Sequence, residues 1–135
     1  MKKHINDPKV SVVIPTYNHA HFLKNAIQSV LDQKYENWEA LVVDNHSDDN
    51  TDEVVLGFDD KRIKLLKTHN YGVIAKSRNL GIKKSKGDWI AFLDSDDCWY
   101  PTKLKTVIDS LENNLYDVVS TDELMVNQLN GKQNI

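Results

Sequence analysis

Along this chain, short runs of consecutive apolar residues alternate with longer stretches in which apolar residues recur every three or four positions. The runs carry the signature of strands buried on both faces, and the recurring stretches that of amphipathic helices. Val10-Ser11-Val12-Val13-Ile14 is the first run, closed by Pro15. Leu23, Ala26, Ile27, Val30 and Leu31 follow at helical spacing, with Asn18 placed to cap that helix. Ala40-Leu41-Val42-Val43 is the second strand and ends at Asp44-Asn45. Residues 47–53 are rich in capping side chains and acids that suit a helical first turn, and Gly57 ends the short helix that follows. Residues 63–66 read as a third strand, Asn70-Tyr71-Gly72 as a turn, and 73–84 as a helix with basic residues at its end. Trp89-Ile90-Ala91-Phe92-Leu93 is the fourth strand. Pro101 opens a further helix at its favoured first position, with Leu104, Val107, Ile108, Leu111 and Leu115 on one face. Val118-Val119 reads as a brief fifth strand, and Asn130-Gly131 as a hairpin turn.

Strands that are almost wholly apolar and alternate with helices predict an α/β fold: an open, mostly parallel, doubly wound, Rossmann-like sheet. Right-handed crossovers leave few orders, and 3-2-1-4 is the one expected for the first four strands. The order then reverses between the first and fourth strands, and ligands of such sheets bind outside the carboxyl ends at that reversal. Three loops meet there: Pro15-Thr16-Tyr17-Asn18, Asp44-Asn45-His46-Ser47-Asp48-Asp49 and Asp94-Ser95-Asp96-Asp97. The chain divides into a tail (1–8), one α/β domain (9–121) and a weakly determined C-terminal segment (122–135).

Composition narrows the ligand. The chain has 135 residues, enough for one domain with a real core. Seventeen basic residues against 20 acidic give a formal charge of −3, which argues against a nucleic-acid surface. A single cysteine, Cys98, rules out an internal disulfide, and no apolar run is long enough for a signal or a membrane span. A cytoplasmic protein is the expectation. No Gly-x-Gly-x-x-Gly follows the first strand and no Gly-Lys-Ser/Thr loop exists, so a backbone cradle for phosphate is not the device. Three carboxylates within residues 94–97 would repel a phosphate unless a cation bridged them. Mg²⁺ or Mn²⁺ does that, taking one or two carboxylates, waters and phosphate oxygens. Asp94 and Asp96 can aim at one ion if Ser95 between them turns away.

The four segments Val-Ser-Val-Val-Ile-Pro-Thr-Tyr-Asn, Val-Val-Asp-Asn-His-Ser-Asp-Asp, Ser-Arg-Asn-Leu-Gly-Ile and Gly-Asp-Trp-Ile-Ala-Phe-Leu-Asp-Ser-Asp-Asp together resemble the family 2 glycosyltransferases of the GT-A fold. The resemblance covers about residues 9 to 121 and is carried by four motifs in the right order. It implies transfer of a sugar from a nucleotide diphosphate donor, UDP favoured, to an acceptor hydroxyl with inversion at the anomeric carbon. It implies that Pro15, Thr16 and Tyr17 line the base and ribose pocket, with Tyr17 stacking on the base. Asp44 and Asn45 fall where members contact the base, and Arg78 reaches toward base or diphosphate. Asp94 touches the ribose or the metal shell, and Asp96 is the main metal ligand. Asn18 and Ser95 belong to the same donor-binding set. Many members carry Asp at the position of Asn45; Asn still accepts from uracil N3–H and donates to O4. The family's general base and acceptor-binding elements lie beyond the metal motif, in a second half for which this sequence holds no candidate stretch. The catalytic base is therefore unassigned, and the expectation is a chain that binds nucleotide and turns over little or nothing alone. The acceptor, a glycan or a lipid-linked saccharide, is left open.

Plainer readings stand beside these. The 94–97 segment could cap the next helix, Tyr17 could pack in the core, Asp44 could be a local turn residue and Arg78 a surface charge. Asp48, Asp49 and Asp52 read as caps and solvated surface. His19, His21, His46 and His69 share no ligand spacing and read as loop residues. Cys98 reads as a buried thiol, and Trp89, Trp99 and Tyr100 as packing around the fourth strand, with Trp99 alternatively on the donor-sugar side. Two other functions compete: a non-catalytic nucleotide-sugar-binding or assembly module, and a Mg²⁺-dependent phosphoryl-transfer or receiver domain. The latter wants an Asp directly after the first strand, where Pro15-Thr16-Tyr17 stands. Half of such a fold leaves sheet edge and apolar face uncovered, which predicts self-association. Light scattering should show mass rising with concentration; a clean monomer over a wide range contradicts it.

Overall fold

A computed structural model describes residues 7–112, 116–126 and 133–134. Its elements are β1 (Val10–Thr16), α1 (Ala20–Leu31), β2 (Trp38–Asp44), α2 (Thr51–Leu56), β3 (Ile63–Lys67), α3 (Ile74–Lys84), β4 (Trp89–Phe92) and α4 (Lys103–Glu112), then two short strands, β5 (Met125–Val126) and β6 (Gln133–Asn134). The first four strands form one all-parallel sheet in the order β3-β2-β1-β4, as the alternation predicts. β5 and β6 pair antiparallel as a separate ribbon. The Asn130-Gly131 turn and Leu115 lie outside the described residues.

Every residue of β1 and β2 is buried, which is what near-continuous apolar runs in the middle of a parallel sheet require. Val10, Val12 and Ile14 of β1 face α1, which buries Leu23, Ala26, Ile27 and Val30 against them, joined by Val55 of α2 and by Leu104 and Ile108 of α4. The opposite face carries α3. This helix buries only Ser77 and Gly81, and a Cβ on Gly81 would meet the Cγ1 of Val13 at 2.3 Å. The glycine is therefore what lets the helix backbone sit directly on the sheet. Ile90 and Phe92 of β4, 37% and 47% exposed, are left bare beside it.

Four details depart from the pattern-based reading. Pro15 does not close β1: the strand runs on to Thr16, with Pro15 beside Val43. The Val13 carbonyl accepts from Leu93, so odd-numbered residues of β1 face β4, which has ended before Pro15; the missing N–H costs no ladder bond. Asn18 does not cap α1. His19 occupies that position without a side-chain cap, and the Ala20 N–H is instead taken by the Asp49 carboxylate at 3.0 Å. Pro101 stands in a turn ahead of α4, because its carbonyl is diverted to the Lys34 N–H at 2.9 Å. Of the first amides of that helix, the Lys103 N–H donates to the Tyr100 carbonyl and the Leu104 N–H to Gln33 Oε1. Val118-Val119 form no strand and are exposed.

Glu39, a charged residue near the start of β2, is 1% exposed. Its carboxylate accepts from Ser11 Oγ at 2.8 Å, Lys64 Nζ at 2.8 Å and the Lys86 N–H at 2.7 Å. Burial pushes the carboxyl up, but these bonds outweigh burial and hold it at about 2 against an ordinary 4.5. A depressed folded value means stability that is full above pH 4.5 and is lost as pH falls toward 2, up to about 3 kcal/mol for this group. Urea unfolding at pH 7, 4.5 and 3 should show that loss, and Glu39→Gln should be weaker at pH 7 with a flatter pH dependence.

Candidate functional site

The carboxyl ends of the four parallel strands point one way, so the loops leaving them gather along one rim. Hydrogen bonds stitch those loops to one another. The Asn45 N–H donates to the Thr16 carbonyl at 3.0 Å. Asn18, at φ 51°, donates its N–H to Ser47 Oγ at 2.8 Å and accepts the Asp48 N–H on Oδ1 at 2.8 Å. Asparagine is among the few residues that take this left-handed conformation readily, which explains its use as a clasp rather than a cap. Asn45 Oδ1 accepts the Asn70 N–H at 2.8 Å, tying the loop after β2 to that after β3. His19 Nδ1 and Ser95 Oγ lie 3.1 Å apart and tie the loop after β1 to that after β4.

Within this frame the expected residues take different stations. Pro15 and Thr16 are buried in the floor, and Thr16 Oγ1 has no hydrogen-bond partner among the described residues. The Tyr17 ring is 51% exposed above them and so is not core packing. Asp44 is fully buried: Ser47 donates to it through N–H and Oγ, and Lys67 Nζ donates at 2.7 Å. Burial lowers the affinity of that ammonium for its proton, but the bonds to Asp44 and Asp52 raise it above its ordinary value. Asp44 thus works inside the protein, and Asn45, half-buried, is the side chain that the end of β2 brings to the rim.

At the end of β4, Ser95 is 5% exposed and turned toward His19, while Asp94 is half-buried and Asp96 exposed on either side of it. Arg78 of α3 reaches across and donates from Nη2 to Asp94 Oδ1 at 2.9 Å. Desolvation first, and then the charges of Asp96, Asp94 and Glu123, push the Asp97 carboxyl above its usual value. Among the described residues, no three His, Cys, Asp or Glu side chains converge as ligands of one ion.

Several features went unread in the sequence. His19 joins two loops, and His46 and His69 stack with ring centroids 3.8 Å apart, a contact between loops after different strands that spacing does not reveal. Asp49 serves α1 as well as Thr51 of α2. Cys98 is exposed rather than buried, because the turn carrying it lies beyond the sheet; desolvation of the sulfur and the charge of Asp97 raise its thiol. Trp99 packs against the core as expected, whereas Tyr100 is 68% exposed. Among the described residues no helix is long and apolar enough to cross a membrane.

Comparison with known proteins adds identities to this geometry. The family model described as Glycosyl transferase family 2 matches residues 11–131. The UDP-Glc:alpha-D-GlcNAc-diphosphoundecaprenol beta-1,3-glucosyltransferase WfgD of Escherichia coli is 44% identical over 128 residues, covering 90% of this chain and 51% of that protein. S. aureus TarS 1-349, solved in complex with UDP-GlcNAc, superposes with a TM-score of 0.74 at 30% identity, over 78% of this chain and 31% of that one. The mannosyltransferase PcManGT from Pyrobaculum calidifontis, solved with GDP-Man and Mn²⁺, superposes with a TM-score of 0.67 at 25% identity, over 78% and 32% respectively. The chain thus spans about half the length of the E. coli relative and about a third of each solved chain.

Because the Tyr17 ring is exposed, Tyr17→Ala should leave the urea-unfolding stability of the free chain within about 0.5 kcal/mol of wild type. A larger loss would make the ring a packing element.

Proposed function

The chain belongs to glycosyl transferase family 2, and from that premise we propose that residues 9–121 bind the nucleotide-diphosphate sugar from which an inverting enzyme transfers its glycosyl group to an acceptor hydroxyl. The observation that carries this reading is the rim itself. Tyr17, Asn45, Asp94 and Asp96 stand on the loops after β1, β2 and β4, and Arg78 reaches Asp94 from α3, beside the sheet's β1/β4 reversal. Crevices at such reversals are where open α/β sheets bind nucleotides.

Each side chain has a chemistry to match. The half-exposed Tyr17 ring offers a stacking face for the base. Asn45 Oδ1 is already committed to Asn70, which leaves Nδ2 to donate to a carbonyl such as uracil O4. UDP is favoured because the name of the E. coli relative specifies UDP-Glc and TarS was solved with UDP-GlcNAc. Asp94 and Asp96 form a hard-oxygen pair that suits Mn²⁺ or Mg²⁺. Such ions take only one or two carboxylates and complete their shell with water and phosphate oxygens, so a cage of three protein ligands is not needed. Asp94, Asp96 and Asp97 put three carboxylates on one short loop, which favours a cation. When bound, that cation neutralises charge building on the departing diphosphate. Arg78 adds a second positive charge at the same end of the crevice. The acceptor of this reading is a glycan or a lipid-linked saccharide.

Calorimetric titration of UDP into the metal-free chain, with and without Mn²⁺, tests this directly. UDP should bind in the presence of Mn²⁺, and Asp96→Ala should bring that binding down to the metal-free level. An absence of binding in every arm would sink the reading.

A further inference from the structure

Few bonds tie the acidic turn after β4 to the rest of the protein. Leu93 donates its N–H to the Val13 carbonyl, and the Asp97 N–H closes the turn on the Asp94 carbonyl at 3.1 Å. Beyond that backbone, two side-chain hydrogen bonds reach residues 94–97 from elsewhere among the described residues. One joins Arg78 to Asp94, side chains that are 35% and 48% exposed, where water weakens an ion pair. The other joins His19 Nδ1 to Ser95 Oγ at 3.1 Å, across 76 residues of sequence, and Ser95 is 5% exposed. The better-shielded anchor is therefore the histidine.

His19 is itself firmly placed. Its carbonyl accepts the N–H groups of Phe22 and Leu23 at 3.0 and 2.8 Å, which builds the residue into the first turn of α1. Its ring stands edge-on to that of Phe22, with centroids 5.8 Å apart and planes at 79°. Tyr17 lies two residues before it, and Asn18 between them is clasped to Ser47 and Asp48. Helix end, ring and loop thus form one post. Ser95 sits between Asp94 and Asp96, so a bond to its hydroxyl governs how both carboxylates leave the turn.

Resting on the donor-binding reading above, we propose that His19 is a positioning residue of the donor site. By holding Ser95 inward it sets the direction of Asp94 and Asp96 and the station of the acidic turn relative to the Tyr17 ring. In this role it touches neither nucleotide nor metal. A nucleotide diphosphate has to engage both ends of the crevice at once, and such a site needs its parts held to within about 0.5 Å. Without the bond, every contacting side chain is still present, but the two ends are out of register. The loss of affinity therefore persists where the variant is fully folded, which a merely stabilising bond would not produce.

A double-mutant cycle separates the two roles. His19→Phe keeps a ring against Phe22 and lacks Nδ1, Ser95→Ala removes the other partner, and the double variant lacks both. His19→Asn is the restoring change, because its amide can stand where Nδ1 stands. UDP binding at saturating Mn²⁺ is read by calorimetry, at a temperature where urea unfolding shows each variant to be folded. Each single variant should bind UDP about three- to tenfold more weakly, the scale of one net hydrogen bond. The double variant should be no worse than the weaker single, and His19→Asn should lie within about twofold of wild type. The proposal is overturned by His19→Phe binding within about twofold of wild type, by losses that add in the double variant, or by failure of His19→Asn to restore binding. Should His19→Phe not fold, Ser95→Ala decides in its place, and wild-type affinity in that variant overturns the proposal. Failure of the wild-type chain to bind UDP instead overturns the donor-binding reading, and this inference with it.

Discussion

β1 has to be paired on both sides, and the rest of the molecule follows from that. Its residues are buried, so each backbone group must find a partner in a neighbouring strand. β2 supplies one edge along its whole length and β4 the other for Val10 to Val13. Because both neighbours are parallel to it, each is reached by a crossover helix. The first crossover leads away on the β2 side and the later one returns to the β4 side. The crevice is the gap these two directions open above β1. β4 stops short of the end of β1, so Pro15, Thr16 and Tyr17 emerge beside a place where no strand competes for the space.

Helix placement serves the same strand from two sides. One layer, α1 with α2 and α4, closes over Val10, Val12 and Ile14 with large side chains. The other, α3, comes close by presenting Ser77 and Gly81 instead. That close approach has a chemical result: it brings Arg78, the residue between them, within reach of Asp94 at the end of β4. Packing at Gly81 and ion pairing at Arg78 are consequences of the same short distance between helix and sheet.

The sheet order was legible because strand type, helix alternation and crossover handedness each exclude alternatives. Of the candidate site, the strand ends were legible: Tyr17, Asn45, Asp94 and Asp96 follow β1, β2 and β4, Ser95 turns inward between the two acids, and Arg78 reaches the end of β4 from α3. What was not legible depends on partners far apart in sequence. Asn18 has the composition of a helix cap, yet Ser47 and Asp48 draw it into a clasp between loops. Glu39 lies just ahead of the run that reads as the second strand, and nothing local announces that Ser11, Lys64 and Lys86 will surround it. Asp44 is one of several acids by sequence; the presence of Lys67 and Ser47 makes it an interior group. Cys98 misled because lone thiols are usually buried, while this one follows a turn that leaves the sheet.

The cross-links between the rim loops bear on the thermodynamics of whatever enters the crevice. Loops that hang separately must each surrender conformational freedom when a ligand arrives, a cost charged against affinity. Here Asn18, Asn45 and His19 have already fixed the neighbouring loops relative to one another. Ligand binding then orders few backbone segments, and the entropy lost on association is confined largely to the ligand and to the side chains that turn toward it.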